Sequence, residues 1–186
     1  KSHLKTAVLE LSSYQLETIT ELPVQIGVVT NLSPDHLDRY PDTDAYYDAK
    51  WRLLQLIGEK GWLSINAGDE HCQQWLKKRT LKRQFNFDVP AQSTGVSREG
   101  TRAVVQTHEG ELSHYDLAHP HLMGAHNISN GCAALAVADR FGLNAEQIEL
   151  GFKSYQGMPH RMERLGSHEG VVWVNDSKAT NVEAAK

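Results

Sequence analysis

Apolar residues recur in short blocks separated by polar turns through the first eighty positions. Ala7-Val8-Leu9, Ile26-Gly27-Val28-Val29-Thr30 and Trp62-Leu63-Ser64-Ile65 read as strands. Between them lie stretches with helical spacing. One runs through Leu16 and Ile19, with Ser12 and Ser13 placed to cap it, and one runs from Asp44 to Ile57. Asn66-Ala67-Gly68-Asp69 is a turn leading into a helix over 70–78. Strand and helix alternating in this way predict a largely parallel sheet flanked by helices, an α/β fold. The pattern changes between Phe85 and Leu122, where Ala103–Thr107 and Glu111–Tyr115 alternate around Glu109-Gly110 as an antiparallel hairpin. An Ala-rich helix over 127–141, closed by Gly142, and another over 145–155 follow. Gly157-Met158-Pro159-His160-Arg161 interrupts helical order as a linker. A strand over 171–175 and a helix from Ala179 then read as the first βα unit of a second domain, dividing the chain into 1–156 and 157–186.

Composition narrows the function without naming it. The chain has 186 residues, 40% hydrophobic and 23% charged, and a formal net charge of −4. Its mean hydropathy is −0.48. A chain of this length buries roughly 70% of its unfolded surface. The slight acidity leaves no global basic field for nucleic acid or anionic lipid. The basic run Lys77–Arg83 has no interleaved aromatics and reads as the coat of a helix end. Cys72 and Cys132 are too few for a disulfide framework, which suits buried thiols in a reducing cytosol. No apolar stretch reaches the length of a membrane span. The first strand begins within a few residues of Lys1 without an initiating Met, and Lys186 falls within a helix's first turns. A piece of a longer protein is therefore expected.

Chemistry concentrates at the strand ends. Glu10 follows the first strand and Asp35-His36 the second, so parallel strands ending side by side would bring a carboxylate and an imidazole to the carboxyl edge of a sheet, where open α/β folds hold ligands. Such a pair suggests a cation site. Mg²⁺ prefers oxygen ligands and zinc would suit His36 better, but no Cys or second His stands at zinc-site spacing, so the residues leave the metal open. Taken singly, Glu10 reads equally as a surface or capping residue, Lys50 as a solvated helix lysine and Arg161 as a linker arginine. Asn127 and Asn130 lie three apart at a helix start and share a face. Their amides offer the donor and acceptor that a base edge requires, although Asn127 would also serve as a simple N-cap. Asn175-Asp176-Ser177-Lys178-Ala179-Thr180-Asn181 reads as a capped helix start, where backbone N–H groups attract anions.

The segments Glu10-Leu-Ser-Ser-Tyr-Gln-Leu-Glu17, Asp35-His36-Leu-Asp-Arg-Tyr40, Asp48-Ala-Lys50-Trp51, Gly124-Ala-His-Asn127-Ile-Ser-Asn130, Pro159-His160-Arg161 and Asn175–Asn181 together resemble the Mur ligase family of peptidoglycan synthesis. The first two have the wording of its D-glutamate-adding branch. The resemblance spans nearly the whole chain. It implies the latter part of a P-loop-type central ATPase domain followed by the start of a Rossmann-like C-terminal domain. It also implies an ATP-dependent, ADP-forming amide ligase of the bacterial cytoplasm, acting as a monomer, that adds D-glutamate to UDP-N-acetylmuramoyl-L-alanine through an acyl phosphate. By that resemblance Glu10, His36 and a carbamylated Lys50 hold Mg²⁺, with Asp35 orienting His36. Asn127 and Asn130 contact adenine, Arg161 the ATP phosphates and Asp176 the ribose. Lys178 serves the acyl-phosphate region and Thr180 the incoming D-glutamate, which makes His36, Lys50 and Lys178 the catalytic candidates. One departure stands out. The family's G-x-x-x-x-G-K-[ST] phosphate loop is absent, and Gly58-Glu-Lys-Gly61 does not replace it. The loop and the UDP-binding domain are expected upstream, and this chain alone is expected to be inactive. A folate polyglutamate-type ligase, a non-catalytic nucleotide-binding module and a metal-dependent hydrolase built on Glu10, Asp35 and His36 are the alternatives.

Overall fold

The computed structural model describes residues 6–34, 37–78 and 83–180. Its parallel layer is built from β1 (Val24–Val29) and β2 (Ile57–Ile65), paired in parallel with Val28 opposite Ser64 and Val29 opposite Ile65. A parallel pair needs a crossover, and α2 (Thr43–Trp51) with the short α3 (Leu53–Leu56) supplies it. Asp42 caps α2 by accepting from Ala45 N at 2.8 Å. The helix expected as one piece to Ile57 is thus broken after Trp51, and Ile57 opens the strand. After α4 (Glu70–Lys77), capped by Asp69, the chain returns to the free edge of β2. There Phe85 N donates to Leu63 O at 3.0 Å and Phe87 N to Ile65 O at 3.1 Å, so residues 84–87 add a third parallel segment through a second ladder.

Residues 84–89 also receive the next sheet, since Val96 N donates to Asn86 O at 2.8 Å and Val89 N to Val96 O at 3.2 Å. That sheet is antiparallel, in the order β3 (Gly95–Glu99), β4 (Arg102–Gln106) and β5 (Leu112–Asp116). The hairpin of β4 and β5 lies where alternation places it, and Gly110 takes the φ of 85° that its turn requires. β3 was not legible beforehand. The helices α5 (Ala125–Arg140) and α6 (Ala145–Ser154) follow, the latter opened by an Asn144–Gln147 capping box.

Two cores result. Tyr46, Tyr47 and Trp51 of α2 and Cys72 and Trp75 of α4 pack on Leu63 and Ile65 of β2. Ile128, Cys132, Leu135 and Ala136 of α5, at helical spacing, pack on Phe85, Phe87, Val96 and Val105. Consecutive side chains of a strand face opposite ways, so Trp62 joins the second core while Leu63 belongs to the first.

A further expectation needs correction. Ala7–Leu9 is not a strand: Val8 is 96% exposed and Leu9 57%, because an apolar run forms a strand only where a ladder accepts it, and among the described residues none does. The capped helix that follows is present as α1 (Ser13–Thr18), with Ser12 rather than Ser13 as its cap. The strand expected over 171–175 is β7 (Val171–Asn175), paired antiparallel with β6 (Glu163–His168). The helix expected from Ala179 lies largely outside the described residues.

Candidate functional site

The three parallel segments, β1, β2 and residues 84–87, end at the same edge. Beyond them Thr30 and Asn31, then Asn66 and Asp69, then Asp88 line one open cavity of about 1220 Å³, at the carboxyl edge of the layer. A cavity of that volume is ample for a ligand the size of a nucleotide. Its opposite walls come from the first turns of α5, the 158–162 loop and the turn after β7. Glu10, Asn127, Asn130, Arg161, Asp176 and Lys178 all line it, although they span most of the chain.

Local forces place each of them. Gly124 starts α5 with φ of 86°, and the His126 imidazole would lie 3.0 Å from a Cβ there, so a side chain at that position is disfavoured twice. Gly124 rather than Asn127 is the N-cap residue. The Asn127 amide instead donates to Met123 O at 2.7 Å, which leaves its Oδ1 for another partner. The 158–162 loop turns through left-handed residues, His160 at φ 65° and Met162 at φ 46°. It is tied to the turn after β7 at several points. Met162 N donates to Asp176 Oδ1 at 3.0 Å, Lys178 N to His160 O at 3.0 Å, and the Asn175 amide lies 2.9 Å from His160 Nδ1. These bonds set Arg161, Asp176 and Lys178 on one wall. The Arg161 guanidinium lies 4.0 Å from the exposed Glu10 carboxylate, across the cavity mouth.

Other site residues stand elsewhere. Asp35, His36 and Asn181 lie outside the described residues. Thr180 is exposed beyond Ala179 and is not among the described lining residues. Lys50, on α2, does not line the cavity either; its Nζ sits 5.0 Å over the Tyr46 ring. It also lies close enough to Cys72 for its charge to oppose, in part, the upward push that burial gives the thiol. Among the described residues no group of three or more His, Cys, Asp or Glu could hold a metal ion. A magnesium ion nevertheless asks little of the protein, one or two carboxylates beside substrate phosphates and water, and the exposed Glu10 carboxylate on the cavity wall fits that need.

Sequence reasoning missed one part of the wall. Asp88 accepts from Arg98 Nε at 2.5 Å and from Ser129 Oγ, and the Asn66 amide reaches Ser129 Oγ at 3.4 Å. No motif marks this group, whose members lie up to 63 positions apart. Among the described residues no helix is long and apolar enough to cross a membrane.

A family model described as the Mur ligase middle domain matches residues 1–138. The chain is 40% identical over 95% of its length to the UDP-N-acetylmuramoylalanine--D-glutamate ligase of Nitrosococcus oceani. It is 37% identical over 96% of its length to the ligase of the same name from Anaeromyxobacter dehalogenans. It spans only about two-fifths of these curated relatives, 38% and 40% of their lengths. Among solved structures, MurF from Acinetobacter baumannii superposes with a TM-score of 0.64 at 20% identity, over 88% of this chain and 35% of that one. MurF from Thermotoga maritima in complex with ADP gives 0.63 at 15% identity, over 87% and 37%. These structural likenesses speak for the α/β fold. The match over residues 1–138 decides the family, and the chain belongs to the Mur ligases through their middle domain.

Proposed function

We propose that this chain is part of an ATP-dependent ligase that joins D-glutamate to UDP-N-acetylmuramoyl-L-alanine in peptidoglycan synthesis in the bacterial cytoplasm. The observation that carries the reading is the gathering of Glu10, Asn127, Asn130, Arg161, Asp176 and Lys178 around one cavity at the carboxyl edge of the parallel layer. The relatives' names supply the substrates, and the division into a central domain to residue 156 and a hinge with a C-terminal domain from 157 belongs to the same proposal.

A free carboxylate resists amine attack, so the reaction first needs a leaving group. An oxygen of the alanyl carboxylate attacks the γ-phosphorus of ATP and ADP departs. The D-glutamate nitrogen then attacks the acyl carbon, loses a proton and expels phosphate. Both steps crowd negative charge, and the protein's work is positioning and electrostatic balance. Arg161 binds phosphate oxygens with a guanidinium that stays charged, and Lys178 stabilises the acyl phosphate from the same wall. Asn127 and Asn130 meet the adenine edge and Asp176 the ribose, while Thr180 and Lys178 receive D-glutamate. Glu10 and His36 would hold Mg²⁺, which when bound offsets phosphate charge. Lys50 is the carbamate site of this reading. A carbamate reverses its charge, so the attraction to the Tyr46 ring disappears.

The decisive experiment follows ADP release by the full-length protein. Repeated turnover should require both UDP-N-acetylmuramoyl-L-alanine and D-glutamate, and Arg161→Ala and Lys178→Ala should each lower it at least tenfold. Continued release beyond one equivalent per enzyme with D-glutamate omitted, or another amino acid preferred, would overturn the assignment. The 186-residue chain alone should show no turnover.

A further inference from the structure

We propose that Asp88, Arg98 and Ser129 form a positioning clamp that fixes the first turns of α5, and with them the Asn127 and Asn130 amides, for a nucleobase; this rests on the ATP reading above. The clamp stands where the third parallel segment hands over to β3. Asp88 takes a left-handed φ of 51°, uncommon for a residue with a side chain. From that position one carboxylate reaches two elements at once, Oδ1 accepting from Arg98 Nε of β3 at 2.5 Å and Oδ2 from Ser129 Oγ of α5. The Asn66 amide, at the end of β2, adds a longer contact to the same hydroxyl. The Asp88 and Arg98 side chains are 11% and 27% exposed, so the pair is mostly screened from water.

Ser129 sits between the two asparagines. Helix geometry therefore converts any rotation of α5 at Ser129 directly into displacement of Asn130, one position on. α5 has no side-chain cap at Gly124, and the clamp is a polar tie between its first turns and the sheet edge. Arg98 has a second task. An uncompensated carboxylate on the cavity wall would repel a polyphosphate, and the guanidinium cancels that charge.

The test uses the full-length protein, with ADP as the calorimetric probe and ATP in steady-state turnover. Ser129→Ala removes one charge-assisted hydrogen bond, and about tenfold weaker ADP binding and about tenfold higher KM for ATP are expected, with kcat within about twofold. Ser129→Thr keeps the hydroxyl and should keep the affinity. Asp88→Gly deletes the carboxylate without placing a Cβ at positive φ, and adding Ser129→Ala to it should cause no further loss. ADP binding unchanged in both single variants while Asn130→Ala weakens it would sink the clamp and leave the nucleotide reading intact. Failure of the wild type to bind ADP would remove that reading and the clamp together.

Discussion

The tie between the 158–162 loop and the turn after β7 makes Asp176 a residue with two separable duties. Its Oδ1 accepts from Met162 N at 3.0 Å, and the residue lines the cavity proposed to hold a ribose. Met162 has φ of 46° and is half-buried. Asp176→Ala removes a hydrogen bond to a charged acceptor, a loss of about 2 kcal/mol. Asp176→Asn keeps a neutral acceptor at the same atom and forfeits only the charge assistance, about 0.7 kcal/mol. Three other bonds still hold the loop: Lys178 N to His160 O, His160 N to Glu163 Oε2, and the Asn175 contact to His160. The loss should therefore appear as local opening rather than unfolding.

Amide hydrogen exchange on the nucleotide-free, full-length protein reads this directly. The Met162 amide should exchange about 30-fold faster in Asp176→Ala and about threefold faster in Asp176→Asn. ADP affinity should follow the same order, because Arg161 lies on the loop that loosens. Equal exchange in the two variants would refute the argument, since it would mean that the hydrogen bond does not hold the loop. Equal exchange with unequal affinity would leave Asp176 a ligand contact only.

Further outcomes follow from other parts of the molecule. Gly95→Ala would set a Cβ 2.4 Å from the Asn86 carbonyl oxygen at φ of 126°, and urea denaturation should show a loss of about 3 kcal/mol as the junction between the two sheets yields. Burial pushes the Cys132 thiol up to about 12 and the Tyr47 hydroxyl up to about 12. Both groups stay protonated in the fold while the unfolded chain releases their protons from about pH 9 upward, so the unfolded state binds fewer protons and stability falls as pH rises from 9 to 12. Thiol alkylation at pH 8 should label Cys132 only after denaturant is added, and rapid labelling of the native protein would contradict the burial. Glu10→Gln removes a carboxylate that is almost fully exposed, so the melting temperature should not move, while the Mg²⁺ needed for half-maximal turnover should rise about tenfold. Carbamylation of Lys50 should give a carbamate carbon signal with ¹³C-bicarbonate in wild type and none in Lys50→Arg; identical spectra would remove Lys50 from the metal site.

What was legible in the sequence follows from how local each cause is. The cap at Ser12, the Gly110 turn and the helix α5 closed by Gly142 are set within a few residues, and each stands where the pattern puts it. β6 escaped notice because Glu-Arg-Leu-Gly-Ser-His is polar and carries a register shift before Gly166; only pairing with Val171–Asn175 makes it a strand. Ala7–Leu9 failed in the opposite way, being apolar enough for a strand yet without a ladder to join. The site divides along the same line. Residues inside compact motifs, such as Asn127 with Asn130 or Asp176 with Lys178, announce themselves. The Asp88 clamp does not, because Asp88 acquires its meaning from Arg98 ten positions later and Ser129 forty-one positions later. Its left-handed backbone is likewise invisible in the letters. Motif reading therefore finds the groups proposed to touch a ligand, while the groups that hold them in place emerge only when the sheets are assembled. In this chain the two classes meet on one helical turn, where Ser129 is neighbour to Asn130, and a substitution at either position should be felt by the nucleotide through a different physical cause.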